Sequence, residues 1–209
     1  MKTLIAIPCM DSVPVQFAQS LAILDKRGDC LLSMKMGSLI YTSRNDLALQ
    51  AIRNECDYVF WLDSDMIFPS DILIRMMDEM ESEKLDVLSG LYFRRVKPFA
   101  PVIFERLRMN PDGSVFHRNW NKDYPKNELF EVEGIGFGCV LMRTNVLVDV
   151  FAQFNDMFAP INGVGEDLSF CWRARKCGYR IMVDSRLKLG HVGHYVINEE
   201  FYNSFNSIQ

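Results

Sequence analysis

The sequence predicts an α/β fold: one domain with a Rossmann-like, mostly parallel central sheet flanked by helices, plus a small antiparallel hairpin. Three observations predict it. The first half of the chain alternates short apolar runs with segments of helical spacing, the order expected of a parallel, doubly wound sheet. Residues 58–62, YVFWL, are aromatic and β-branched without a polar break, as in a strand covered on both faces. The 209 residues, 49% of them hydrophobic, are enough for one substantial core.

Taken in order, residues 3–7 read as the first strand, 13–24 as a helix and 30–34 as a short strand. Residues 38–54 carry helical spacing, with Leu47, Ala48, Ala51 and Ile52 on one side. The strand 58–62 ends in Asp63-Ser64-Asp65, and Ser70 is placed to cap a helix over 71–83 whose Ile72, Leu73, Met76, Met77 and Met80 share a face. Residues 86–91 form the next strand. NPDG at 110–113 is a turn between strands at 102–109 and 115–118, since Pro sets one dihedral and Gly accepts the other. Residues 119–128 are polar and read as a mobile loop, and 139–142 as a buried strand after a glycine-rich approach. Helical spacing returns at 165–179, with Gly178 at the C-terminal cap, and a short strand at 181–183 follows.

Composition narrows the function classes. With 23 Lys and Arg against 27 Asp and Glu, the chain lacks the basic excess of a nucleic-acid binder. The first apolar stretch, TLIAIPCM, is too short for a signal core or a membrane span, so no transmembrane segment is expected. Cys9, Cys30, Cys56, Cys139, Cys171 and Cys177 include no C-x-x-C pair and read as reduced thiols of a cytoplasmic protein.

Two acidic stations carry the chemistry. Asp63 and Asp65 stand at a strand's carboxyl end, where open α/β sheets bind ligands. There they either converge on a divalent cation or make a solvated, helix-capping turn. Glu166 and Asp167 follow Gly165 at a helix start, either complementing the helix dipole or supplying a general base. His191, between Gly190 and Gly193, is either a structural imidazole or a third ligand for an ion such as Mn²⁺; His194 is close by.

Asp63-Ser64-Asp65, GIGFGCVLMR at 134–143, GEDLSFCWRARKCGY at 165–179 and Gly190-His191, taken in this order, resemble the nucleotide-sugar glycosyltransferases of the GT-A fold, in particular the family 2 class. The resemblance spans nearly the whole chain. It implies a nucleotide-diphosphate sugar donor, with Asp65, Asp63 and His191 at a Mn²⁺ or Mg²⁺ ion and Asp63 also toward the ribose. It further implies Asp167 as catalytic base with Glu166 beside it, and an acceptor hydroxyl on a glycan, lipid-linked or protein acceptor. Residues up to about 95 become the nucleotide-binding half, 96–198 the acceptor and catalytic half, and 199–209 a tail that packs back on the domain or on a second subunit. The chain departs from the family at SMKMGSLIYTSRN, where a nucleotide-reading turn is usual, and lacks the Gln-x-x-Arg-Trp signature of processive synthases. Donor recognition is therefore assigned loosely to Pro8, Cys9, Asp11, Arg44 and Asn45, with Arg94 and Arg95 as phosphate-binding candidates.

Three other classes compete. A sugar-phosphate nucleotidyltransferase wants a Gly-rich basic loop after the first strand, and IPCMDSVP is not one. An aspartyl-phosphate phosphohydrolase carries its Asp-x-Asp on the first strand. A non-catalytic nucleotide-sugar or glycan binding module on the same fold is separated from an enzyme only by assay.

Overall fold

The computed structural model describes residues 1–37, 39–120, 122–193 and 196–207. Strand β1 (Lys2–Cys9) leads into α1 (Val15–Ala22), β2 (Asp29–Met36) and α2 (Ile40–Arg53). β3 (Tyr58–Leu62), the short β4 (Met66–Ile67), α3 (Ile72–Ser82) and β5 (Val87–Leu91) follow. The second half holds β6 (Ile103–Met109), β7 (Val115–Asn119), β8 (Leu129–Val132), β9 (Gly134–Ile135), β10 (Cys139–Arg143), α4 (Thr144–Phe154) and α5 (Glu166–Lys176). It closes with β11 (Ile181–Lys188), β12 (Gly190–Val192), β13 (Val196–Ile197) and α6 (Glu199–Ser207).

Seven strands make the central sheet in the order β2-β1-β3-β10-β5-β11-β8. β1, β2, β3, β5 and β11 run one way and β8 and β10 the other, so five of the seven are parallel. β3 is buried at every residue, as its composition predicts. Its side chains alternate between two cores: Val59 and Trp61 join α2, α4 and α5 on one face, while Tyr58, Phe60 and Leu62 join α1 and α3 on the other. The reversed strand β10 sits in the middle of the sheet and aligns Cys139 with Leu62, which brings the glycine-rich approach beside the Asp63 turn. β4 pairs with β12, Met66 against His191, which carries the late histidine to the same edge.

Several boundaries differ from the sequence expectation. β2 and β11 are eight residues each, longer than the apolar runs that mark them, because polar residues continue the pairing. Ser70 does not cap α3: Asp71 holds the cap position and the Ser70 hydroxyl donates to Asp25 at 3.0 Å. The hairpin β6–β7 forms around the expected turn, with Gly113 at φ +81° and its N–H on the Asn110 carbonyl at 3.0 Å. Between β7 and β8 the polar segment is pinned at its middle by Tyr124, which is buried against Phe93 and donates to Glu199 at 3.1 Å. The tail packs back on the domain, Tyr202 stacking on Phe93 and Phe201 and Phe205 meeting Phe99 edge-on. Among the described residues no helix is long and apolar enough to cross a membrane. All six cysteines are free.

Candidate active site

Arg44 joins the two acidic stations. It lies on the buried stripe of α2 with Leu47, Ala48 and Ala51, where the periodicity calls for an apolar residue, and is only 1% exposed. Its Nη2 donates to Asp63 Oδ1 at 2.7 Å and its Nε to Glu166 Oε1 at 3.2 Å. The guanidinium also lies 5.1 Å from the Phe137 ring centroid and 5.7 Å from that of Trp61, while its Nη1 has no hydrogen-bond partner. Burial works against its charge, but Asp63, Glu166 and Asp167 outweigh that and raise its pKa. Two carboxylates 103 residues apart in sequence thus share one buried cation.

Asp65 faces the other way. Its backbone carbonyl accepts the Val192 N–H at 2.8 Å, and its carboxylate meets Arg95 and, at 3.4 Å, His191 Nε2. His191 Nδ1 lies 2.9 Å from the Phe93 carbonyl, which only accepts, so Nδ1 carries a proton and Nε2 is the ring atom turned toward Asp65; with no cation between them that carboxylate favours the protonated ring. Burial raises the Asp65 carboxyl, but His191 and then Arg95 overcome it and hold the pKa below the ordinary value. For His191 burial lowers the pKa and Asp65 and the Phe93 carbonyl more than restore it.

Asp167 is half-buried at the start of α5, its Oδ1 accepting the Leu168 N–H at 2.7 Å. Burial pushes its carboxyl up from an ordinary 3.8 to about 6, with Glu166 adding repulsion, while Leu168 and Arg44 pull down. Helix α5 ends in a Schellman cap: the Tyr179 N–H reaches the Ala174 carbonyl and Gly178, at φ +92°, supplies the left-handed residue.

The glycine-rich segment has a packing cause. Tyr92 is buried and its hydroxyl oxygen accepts the Gly138 N–H at 3.0 Å. A Cβ at Gly138 would lie 2.7 Å from Tyr92 Cζ and 3.0 Å from Met66 Sδ, and one at Gly136 would also strike Tyr92. We therefore expect Gly138→Ala to cost about 1–3 kcal/mol in urea denaturation through overpacking. An unchanged midpoint would show that Tyr92 can move aside.

The Asp63–Asp65 turn, the loops after β1 and β2 and the start of α2 bound a cavity of about 460 Å³, and Glu166 and Asp167 stand behind Arg44, outside its lining. One end is lined by Asp63, Ser64, Asp65, Arg95 and His191; the other, by Pro8, Cys9, Met10, Ser12, Pro14, Gly37, Ile40 and Ser43, carries no charge. Of the expected donor residues, Pro8, Cys9 and Asp63 line it, and Arg44 braces Asp63 from behind. Asp11 is exposed and outside the lining. Asn45 is occupied structurally, its Oδ1 accepting the Phe158 N–H and its Nδ2 donating to Asp156. Arg94 points to Asn119 and the Phe104 ring, and its neighbour Arg95 reaches the cavity instead. His194 lies outside the described residues. Ser12, Ser43 and Tyr92 carry no motif, and only the paired glycines Gly136 and Gly138 hinted that a large side chain approaches there.

No protein-family model and no curated protein matches the chain by sequence. Solved structures do match. A197 from STIV superposes with a TM-score of 0.64 at 19% identity, over 95% of this chain and 94% of that one. S. aureus TarS 1-349, solved with UDP-GlcNAc, gives 0.58 at 18% identity over 88% of this chain and 56% of that one. GalNAc-T7, solved with UDP, GalNAc and Mn²⁺, gives 0.61 at 9% identity over 94% and 44%. The fold is GT-A-like. The chain spans about half the length of the TarS and GalNAc-T7 chains it matches. In this GT-A-like domain both acidic stations stand beside the carboxyl ends of parallel strands, the edge where open α/β sheets form their ligand crevice.

Proposed function

We propose that the protein is a metal-dependent glycosyltransferase moving a sugar from a nucleoside-diphosphate donor to an acceptor hydroxyl. The observation that carries this is the two-ended cavity, uncharged at Pro8, Met10 and Ile40 and ionic at Asp65, Arg95 and His191. A nucleoside diphosphate has the same division, a flat base at one end and anionic phosphates at the other. The ionic end does not suit a purely apolar ligand.

The residues fit a divalent ion in part. Asp65 Oδ2 and His191 Nε2 lie 3.4 Å apart, an oxygen and imidazole pair that suits Mn²⁺. Among the described residues no group of three or more ligating side chains forms, and the Asp63 carboxylate is engaged by Arg44. The rest of the shell then comes from donor phosphate and water. Bound there, Mn²⁺ or Mg²⁺ supplies Lewis-acid stabilisation of the departing diphosphate. Arg95, half-exposed on the same carboxylate, adds charge-assisted hydrogen bonds to phosphate. Ser12 and Ser43 offer hydroxyls toward the nucleoside. Arg44 holds the Asp63 carboxylate in place. Asp167 takes the proton of the acceptor hydroxyl, and Glu166, fixed by Arg44, raises its basicity. Residues up to about 95 hold the donor and the remainder presents base and acceptor.

Asp167→Asn tests the base. The variant should keep donor binding and lose roughly 10²–10⁴-fold in kcat. In the wild type kcat/KM should rise with pH through about 6 as Asp167 ionises, a limb absent from the variant. The stability sign is opposite: with its folded pKa above 3.8, Asp167 binds more protons folded than unfolded, so its contribution falls as pH rises from about 4 to about 6. Asp167→Asn should therefore melt higher than wild type at pH 7.5 while turning over more slowly. Full activity in the variant removes Asp167 from the mechanism, and tight donor binding with no diphosphate release from wild type would make the protein a binding module.

A further inference from the structure

We propose that the protein is a homodimer whose two central sheets join edge to edge through β2. Independently of any catalytic reading, β2 is an outer strand: β1 pairs it on one side along all eight residues, and no described strand pairs it on the other. Natural edge strands are usually short, charged or covered, because free N–H and C=O groups recruit another strand. β2 is long, at eight residues, its apolar face is uncovered at Leu32, Met34 and Met36, and its charges are confined to Asp29 and Lys35 near the two ends. Leu32, Met34 and Met36 alternate along one face at 52%, 45% and 67% exposure. They continue the face of their partners Ile5, Ile7 and Cys9, on the side of α1, where Val15 and Ile23 are also exposed.

The patch is a concentration. Of the fifteen large apolar residues exposed among those described, nine lie in residues 1–40, about a fifth of the chain. Met10 and Ile40 belong to the cavity already described; Leu32, Met34 and Met36, in register along one strand, are the exposed apolar row at the sheet edge.

The occupant is a second copy because the strand complements itself. Antiparallel pairing about a two-fold axis through Leu32 keeps each residue on its own face and adds positions to sixty-four. In that register Asp29 faces the second copy's Lys35, twice by symmetry, Cys30 faces Met34, and Leu31 faces Ser33. Shifting the axis by one residue to Ser33 sets Leu31 against Lys35 and takes Asp29 past the strand end. Only the Leu32 register pairs the opposite charges and stacks Leu32 on itself. Lys35 already holds its own Asp46 at 2.7 Å, so in the dimer it lies between two carboxylates. The joined sheet has fourteen strands, twice the seven of one copy, with α1 of each copy flanking the shared apolar strip.

Sedimentation of the full chain under reducing conditions, across a concentration series, tests this. The expected result is a mass near twice 24.2 kDa. Leu32→Lys, at an exposed position, should give a monomer with an unchanged melting curve in dilute solution. Asp29→Lys sets like charges against each other twice and should weaken the dimer by roughly tenfold in Kd, and Asp29→Lys with Lys35→Asp should restore it. Circular dichroism melts of all variants separate dissociation from unfolding. A monomeric wild type would overturn the proposal and leave the edge to a different partner. A dimer indifferent to Leu32→Lys, or one that the double charge swap fails to restore, would overturn it as well.

Discussion

Asp65→Ala is expected to reduce sugar transfer by about a thousandfold or more while leaving the fold intact. The residue is half-buried and paired to His191 and Arg95, so its removal deletes the carboxylate beside His191 Nε2. Electrostatic stabilisation of a departing diphosphate supplies several kcal/mol in a water-poor site, and that contribution depends on where the cation is held. Folding depends on Asp65 little, because the backbone link from Val192 N–H to the Asp65 carbonyl survives the substitution. His191→Ala should act in the same direction and less strongly, since a carboxylate remains. Steady-state kinetics with excess Mn²⁺ separates the cases: wild-type kcat in Asp65→Ala would remove the metal assignment.

Arg44→Met is expected to be the most damaging single change to stability, at about 3–5 kcal/mol. The guanidinium is buried and is the hydrogen-bond partner of both Asp63 and Glu166, so an apolar replacement leaves two carboxylates without their cation. Arg44→Lys should recover only part of the loss, because one ammonium cannot reproduce the separate Nε and Nη2 contacts of the planar group. Arg44→Met with Asp63→Asn should be more stable than Arg44→Met alone, since one uncompensated charge is gone. Urea denaturation of the four proteins gives the comparison. A loss under about 1 kcal/mol in Arg44→Met would mean that water reaches the carboxylates once the arginine is removed.

Much of the fold was legible because local pattern and tertiary position agree. The unbroken apolar run at Tyr58–Leu62 is the fully buried β3, the one-sided helix 71–83 is α3, and NPDG makes the hairpin turn. Direction was not legible. Nothing in CVLMR distinguishes a parallel from an antiparallel buried strand, and β10 proves antiparallel at the sheet's centre. Of the candidate site, the strand-end and helix-start carboxylates stood out because acidic residues interrupt or open regular elements. The role of Arg44 was hidden, since a charged residue on an apolar helical stripe is informative only once its partners are known. Arg94 and Arg95 were indistinguishable in sequence; they lie beyond β5, where the chain bends after the Phe93–Pro101 bridge, and only Arg95 lines the cavity while Arg94 turns to Asn119. The glycine-rich approach at 134–138 makes room for Tyr92, a side chain with no local signature.

The central claim, a donor site completed jointly by Asp65, His191 and a metal ion, is tested most directly by thermal shift of the wild-type protein with nucleoside-diphosphate sugars, Mn²⁺, and both together. Two protein ligands hold a cation weakly, and a diphosphate without a cation meets arginines already engaged by Asp63 and Asp65. Each component alone should therefore move the melting temperature little, and the pair together by several degrees, since binding to the folded state alone stabilises it. Equal shifts with and without Mn²⁺, or none with any donor in its presence, would contradict the claim.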